Sequence, residues 1–302
     1  MSRRSVDFVS GGTRCAAWFF SAAADSPFAN DDGAVPVVVM AHGFGGTKDS
    51  GLEPFAERLA AAGLAVFAFD YRHYGDSDGE PRQQISLTGQ ADDYRAAMAA
   101  AAAQPGVDRS RVILWGVSLA GGLVLEVASG RDDLAAVIAM VPLVSGLAAG
   151  IHHYPQLGVA GVAKSTSRAV GSAVKSRLGR APTMMTVVGP PGSGAALSGP
   201  GYLENYLAVA GPTWRNEVDA AIGLELGSFR ADKSAHKISA PTLVQIADFD
   251  QAAPPHAAAK AAFSARAQVR HYPCDHFDIF EGFDWFEQAV THQIDFLTHH
   301  LA

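Results

Sequence analysis

The chain has 302 residues, 48% of them hydrophobic and 18% charged, which is enough apolar material for a large buried core. A formal charge of −7 with scattered Lys and Arg speaks against a nucleic-acid role. The densest basic run, Lys164 to Arg180, reads as a solvated helix face. Cys15 and Cys274 are too few for a disulfide framework and read as reduced packing residues. No apolar run reaches the roughly 18 residues of a membrane helix. The start, MSRRSVDFVSGG, lacks the apolar segment of a signal peptide, so the expected location is cytoplasmic.

In chain order, VDFVS and TRCAAWFF predict two short strands joined by a glycine turn. VPVVVMAHG is a continuous apolar run of the kind buried on both faces in a parallel sheet. EPFAERLAAAG predicts a helix stopped at Gly63, and LAVFAFDYR another buried strand. Gln90 to Ala103 is helical, ended by Pro105 and Gly106. RVILWG, a helix from about Gly121 to Ser129, and AAVIAMVP follow. Strand and helix thus alternate, which predicts an α/β protein with a mainly parallel sheet.

The alternation breaks at about Gly146. From there to Ser239 the chain is rich in Gly, Pro, Ser and Ala, with helical pieces near Leu157–Leu178, Tyr202–Leu207 and Asn216–Leu224 and no expected strand. The α/β pattern resumes with APTLVQIA, HAAAKAAFSA, AQVRHYP and a closing helix from about Phe283 to Leu297. The expected organisation is an α/β core of residues 1–145 and 240–302, with 146–239 inserted as a helical cap.

In a parallel sheet, sites form at the carboxyl ends of the strands. Ser118 sits there in GVSLAGG, between a strand and a helix, the setting of a nucleophile elbow. The usual pattern is G-x-S-x-G. Gly116 fills the first place and Ala120 the second, with Gly121 and Gly122 next to relieve crowding. A serine nucleophile needs a base, a group to orient the base, and donors for the oxyanion. The loop HGFGG, 42–46, ends a strand and offers backbone N–H groups, so the oxyanion donors are expected from Phe44 and Leu119. His276, in the loop after the last strand, is the candidate base, and His42 is expected to shape its loop. Asp248 and Asp250 both follow APTLVQIA and are candidates for the orienting acid, Asp250 the favoured one. Asp275 adjoins the histidine and is expected to point elsewhere. No metal and no organic cofactor is expected: the adjacent pairs His152–His153 and His299–His300 are poor ligand sets, and HGFGG lacks phosphate-loop spacing.

These segments together resemble the α/β-hydrolase fold superfamily, in its serine esterase and dienelactone-hydrolase-like branch. HGFGG resembles the oxyanion loop. DYRHYGDSDG, 70–79, resembles D-x-R-G-x-G-x-S, with His73 where glycine is common. DRSRVILWGVSLAGG resembles the elbow segment, and CDHFDIFEG the G-x-H-F segment, with Asp275 in place of a small residue. The acid motif G-x-x-D-x-x-x-P, with Ala247 at the glycine place, points to Asp250, four before Pro254. The resemblance implies a Ser118–His276–Asp250 triad. Serine rather than aspartate at the elbow implies acyl chemistry on an ester, thioester, lactone or small amide.

The expected function is therefore hydrolysis of a carboxylic ester or lactone through an acyl-enzyme. Alternatives are acyl transfer, peptide or carbon–carbon bond cleavage, or ligand binding on an inactive scaffold. The cap's long helix is expected to pack its apolar side over the site. Met184, Tyr206 and Trp214 are the candidate substrate-binding residues, favouring an apolar small-molecule ester or lactone. A homodimer is left open.

Overall fold

A computed structural model describes residues 2–302, with no side chain described for 154–157; Leu157, an expected helix start, lies among these. The core strands are β1 (Arg3–Ser10), β2 (Thr13–Phe20), β3 (Val35–Ala41), β4 (Ala65–Phe69), β5 (Val107–Val117) and β6 (Leu134–Met140). Between them run α1 (Glu53–Ala61), α2 (Leu87–Ala102) and α3 (Leu119–Ala128). The segment after β6 holds α4 (Gly146–Arg177), β7 (Met184–Met185), α5 (Tyr202–Val209), β8 (Val218–Asp219), α6 (Ile222–Ser228) and α7 (Ala231–Ser234). β9 (Thr242–Ala247), α8 (Pro255–Ser264), β10 (Gln268–Tyr272) and α9 (Phe286–Leu301) complete the chain.

The main sheet has eight strands in the order β1-β2-β4-β3-β5-β6-β9-β10. β1, β2 and β4 pair antiparallel; from β4 to β10 every pairing is parallel. Every residue of β3, β4 and β9 is buried between two helical layers; β3 and β4 are uninterrupted apolar runs, and in β9 the buried Gln245 donates to the Tyr272 hydroxyl and the Ala289 carbonyl. Register then sets the site. Ala41 of β3 pairs with Gly116 of β5, and Val117 of β5 with Met140 of β6, so His42, Ser118 and Val141 leave the sheet along one edge. Under the sheet Trp115 is fully buried, its Nε1–H donating to Gln293 Oε1 at 2.9 Å.

The inserted segment departs from expectation in three ways. β7 and β8 form a two-residue antiparallel pair that the Gly- and Pro-rich sequence conceals, and the helix expected over Asn216–Leu224 is instead β8 followed by α6. α4 starts at Gly146, with Ser145 Oγ accepting the Ala148 N–H as its cap, and is broken at Gly158, where φ is 61°. The segment's last piece, α7, packs against α3 and α8 of the core. No described helix is long and apolar enough to cross a membrane.

Candidate active site

Ser118 stands on the turn between β5 and α3 with φ 58° and ψ −119°, a conformation that L-residues avoid and that surrounding structure must impose. Two backbone bonds impose it: Ser118 N–H donates to the Met140 carbonyl and Leu143 N–H donates to the Ser118 carbonyl, each at 2.9 Å. The small neighbours are a steric requirement. A Cβ on Gly116 would stand 2.3 Å from the Ala120 carbonyl oxygen, and one on Gly122 would stand 1.9 Å from the Leu143 carbonyl oxygen. Ala120 is fully buried; the helix positions with no room for a Cβ are the next two, Gly121 against Pro142 and Gly122 against the Leu143 carbonyl, in the loop after β6.

Gly43 brings the loop after β3 against the serine; a Cβ there would lie 2.8 Å from Ser118 Cβ. Among the described residues, neither the Phe44 nor the Leu119 N–H donates to another backbone group in a turn or cap. Behind this loop, Lys48 and Asp70 are both essentially inaccessible: Lys48 Nζ donates to Asp70 Oδ2 at 2.7 Å and Lys48 N–H to Asp70 Oδ1 at 2.6 Å. The pair ties the loop to residues 70–79, where His73 takes a left-handed φ of 73° in the place glycine commonly fills. His42 shapes the loop with Nδ1 3.0 Å from the Gly43 carbonyl, and burial lowers its pKa to about 4, so it stands neutral.

His276 leaves the sheet after β10. Its Nδ1 lies 2.6 Å from Asp250 Oδ2, and both side chains are buried. The other carboxylate oxygen accepts the N–H groups of Ala252 and Ala253 at 2.7 Å each. Burial lowers the His276 pKa, but the charge of Asp250, its hydrogen bond and the charge of Asp275 together carry it above the ordinary histidine value. Asp248 faces away, 2.7 Å from His271 Nδ1 at the surface. The structure thus brings Asp250, not Asp248, to His276.

Ser118 and His276 line one cavity of about 440 Å³, counting the part open to solvent. Its wall includes Phe44, Leu197, Tyr206, Val209, Phe277 and Phe280. The expected substrate-binding trio splits. Tyr206 is in the wall, its O–H donating to the Phe44 carbonyl at 3.3 Å. Trp214 stands behind it, rings stacked at 4.8 Å, and is not in the wall. Met184 is also outside the wall, held in β7 opposite Asp219. Among the described residues α4 contributes none to the wall either; the inserted segment reaches the cavity through Leu197 and α5. Sequence reading missed Leu197, Val209 and Phe280, which carry no signal beyond being apolar, and did not assign Phe277 to the wall although it follows His276 in the G-x-H-F-like segment. Among the described residues, no group of three or more His, Cys, Asp or Glu gathers as metal ligands would.

Residues 36–283 match the family model for the alpha/beta hydrolase fold. The chain belongs to the α/β-hydrolase fold family. It is 34% identical over 299 residues to the quorum-quenching protein AidA of Acinetobacter baumannii, covering 97% of this chain and 93% of that one. It is 37% identical over 109 residues to thiohydrolase aneE of Aspergillus aculeatus, covering 36% of this chain and 34% of that one. Among solved structures, the α/β hydrolase GrgF from a Penicillium species superposes with a TM-score of 0.79 at 22% identity, over 100% of this chain and 99% of that one.

Proposed function

We propose that this α/β hydrolase is a serine hydrolase that cleaves a carboxylic ester or lactone through an acyl-enzyme. The observation that carries the reading is the strained Ser118 sharing a cavity with His276, whose Nδ1 is held 2.6 Å from the buried Asp250. In this mechanism Asp250 keeps the proton on Nδ1, leaving Nε2 as the base. Ser118 Oγ attacks the carbonyl carbon as its proton passes to His276. The N–H groups of Phe44 and Leu119 stabilise the oxyanion. Collapse expels the alkoxide, which takes the proton from His276, and water then repeats the sequence on the acyl-enzyme.

The wall supports an uncharged, apolar acyl or lactone portion: among the described residues, apart from His42 and His276 it holds no titratable side chain other than the Tyr206 phenol. The likeness to a quorum-quenching protein directs the substrate search to small signalling molecules bearing a lactone or ester. The partial likeness to a thiohydrolase favours a second reading, in which the same serine takes its acyl group from a thioester. A fluorophosphonate probe should label Ser118, and matched oxygen esters, lactones and thioesters should rank the leaving groups. Labelling at another residue would sink both readings. The pH profile of kcat/KM reports the free base, so its acid limb should lie above the ordinary histidine value, in keeping with the raised pKa of His276.

A further inference from the structure

Helix α5 bridges the two loops that carry the proposed catalytic groups. At its start, Tyr202 O–H donates to Asp275 Oδ1 at 2.8 Å. At its middle, Tyr206 O–H reaches the Phe44 carbonyl at 3.3 Å. Just past its end, Gly211 N–H donates to Ser50 Oγ at 3.2 Å and Thr213 N–H to Asp49 Oδ2 at 2.9 Å. The two tyrosine rings close edge-on to Phe277, the neighbour of His276, with centroids at 5.1 and 5.6 Å.

Asp275 is the node of this arrangement. Its Oδ1 also accepts His276 N–H at 2.7 Å and Gln251 N–H at 3.0 Å. Its Oδ2 accepts Gln251 Nε2–H at 3.1 Å, and its own N–H donates to Asp278 Oδ2 at 2.8 Å. One half-buried carboxylate therefore holds the backbone of the histidine, the residue after Asp250, and the first tyrosine of α5. A glycine or alanine at this place could make none of the four carboxylate bonds. Three donors converge on one oxygen, an arrangement that a charged acceptor favours.

We propose that Asp275 is a positioning residue that fixes the His276 and Asp250 loops against one another and couples both to α5 through Tyr202. The proposal rests on the reading of Ser118, His276 and Asp250 as the triad. It sets His276's ring through its backbone, while Asp250 sets it through Nδ1, and an ångström of drift in such a group costs about 10²-fold in rate. The titratable groups around His276 are Asp250 on its ring, Asp275 on its N–H, the hydroxyls of Ser118, Tyr202 and Tyr206, and Asp278 and Cys274 beyond Asp275. Both nearby carboxylates, Asp250 first and then Asp275, favour the protonated ring. Removing the charge of Asp275 should therefore move the acid limb of activity to lower pH.

The test compares Asp275→Ala, Asp275→Asn, Tyr202→Phe and Ser118→Ala, with kcat and KM measured across pH on nitrophenyl esters of short and long acyl chains. Circular dichroism and melting temperature accompany each variant. Asp275→Ala should lose roughly 10- to 100-fold in kcat. Asp275→Asn, which keeps an oxygen for the three donors, should recover most of that loss and shift the acid limb downward. Tyr202→Phe should raise KM for the long esters and leave kcat nearly unchanged. A folded Asp275→Ala with the kcat and acid limb of the wild type overturns the proposal. So does a lower melting temperature alone in both Asp275 variants, which marks a purely structural residue. Retained activity in Ser118→Ala would instead overturn the triad, whatever Asp275 does.

Discussion

The sheet and the segment inserted after β6 are built by different means. In the sheet, β3 and β9 are buried at every residue, and their register alone lines up the loops that hold His42, Ser118 and Asp250. In the insertion, the 32-residue α4 leaves Val159, Val162, Val170 and Val174 exposed and turns Ala169 and Ser172 inward. What fastens the insertion near the site is a set of hydrogen bonds from α5 and its flanks to core loops. Burial of apolar runs makes the frame; polar contacts, together with the buried rings of Tyr202 and Tyr206 against Phe277, hang the cavity wall on it. The first should tolerate little change, and the second should tune selectivity.

The sharpest break falls at the strand ends. On the proposed mechanism Ser118→Ala should lower ester turnover by roughly 10³-fold or more, since a serine, base and acid of a triad act as a unit. Melting temperature should hardly move, because Ser118 Oγ bears none of the turn's backbone bonds. A mutant that keeps near-full activity would remove the frame's claim to the chemistry. Next in size is Lys48→Ala, which leaves Asp70 buried without its partner cation. Breaking one side of such a pair costs on the order of 3 kcal/mol. Denaturant unfolding measures this directly, and a loss under about 1 kcal/mol would mean water replaces the ammonium at little cost.

How much of this was legible in the sequence follows the same division. The apolar runs of β3 to β6 and β9, and the order Ser118, Asp250, His276, stand out because each strand is locally determined and each loop begins where the run stops. Ala120 obscured the elbow only slightly, since the glycines that matter sterically are Gly116, Gly121 and Gly122. The insertion was misread for a physical reason. The inward side of α4 is held by Ser172, whose Oγ donates to Asp219 Oδ1 at 2.6 Å and accepts the Thr183 N–H at 2.7 Å. A helix seated by a serine has no apolar stripe to betray its buried face. Met184 and Trp214 look like ligand contacts by residue type, yet one is spent in a strand pair and the other supports Tyr206. Asp275 looked like a departure from a motif, and its four acceptor bonds are visible only once the loops are folded together.

A smaller effect should distinguish the wall from what stands behind it. Tyr206→Ala opens the cavity and removes the hydrogen bond to Phe44, so kcat/KM for long-chain esters should drop relative to short ones, on the order of tenfold. Tyr206→Phe keeps the ring and should retain most of that selectivity. Trp214→Leu reaches the substrate only through Tyr206 and should give the same trend at reduced size. Equal losses for every acyl length in all three variants would show that this wall supports the catalytic loops without sorting substrates.

The smallest effects should come from α4, and they test the division at its weakest point. Val159 is 72% exposed and Val174 49% exposed, so neither contributes much burial to lose. Exchanging either for serine should change unfolding free energy by no more than about 0.5 kcal/mol and leave kcat/KM alone. Ser172→Ala, on the opposite side of the same helix, strands the Thr183 N–H and leaves Asp219 Oδ1 with the Ala221 N–H as its remaining donor, and should cost about 1–2 kcal/mol. The contrast inverts the usual expectation for a helix, in which valine is the anchor and serine the solvent-facing residue. Equilibrium unfolding of the three single variants decides it. If the valine changes cost more than the serine change, α4 is seated by an apolar face after all, and the inserted segment is built as the core is.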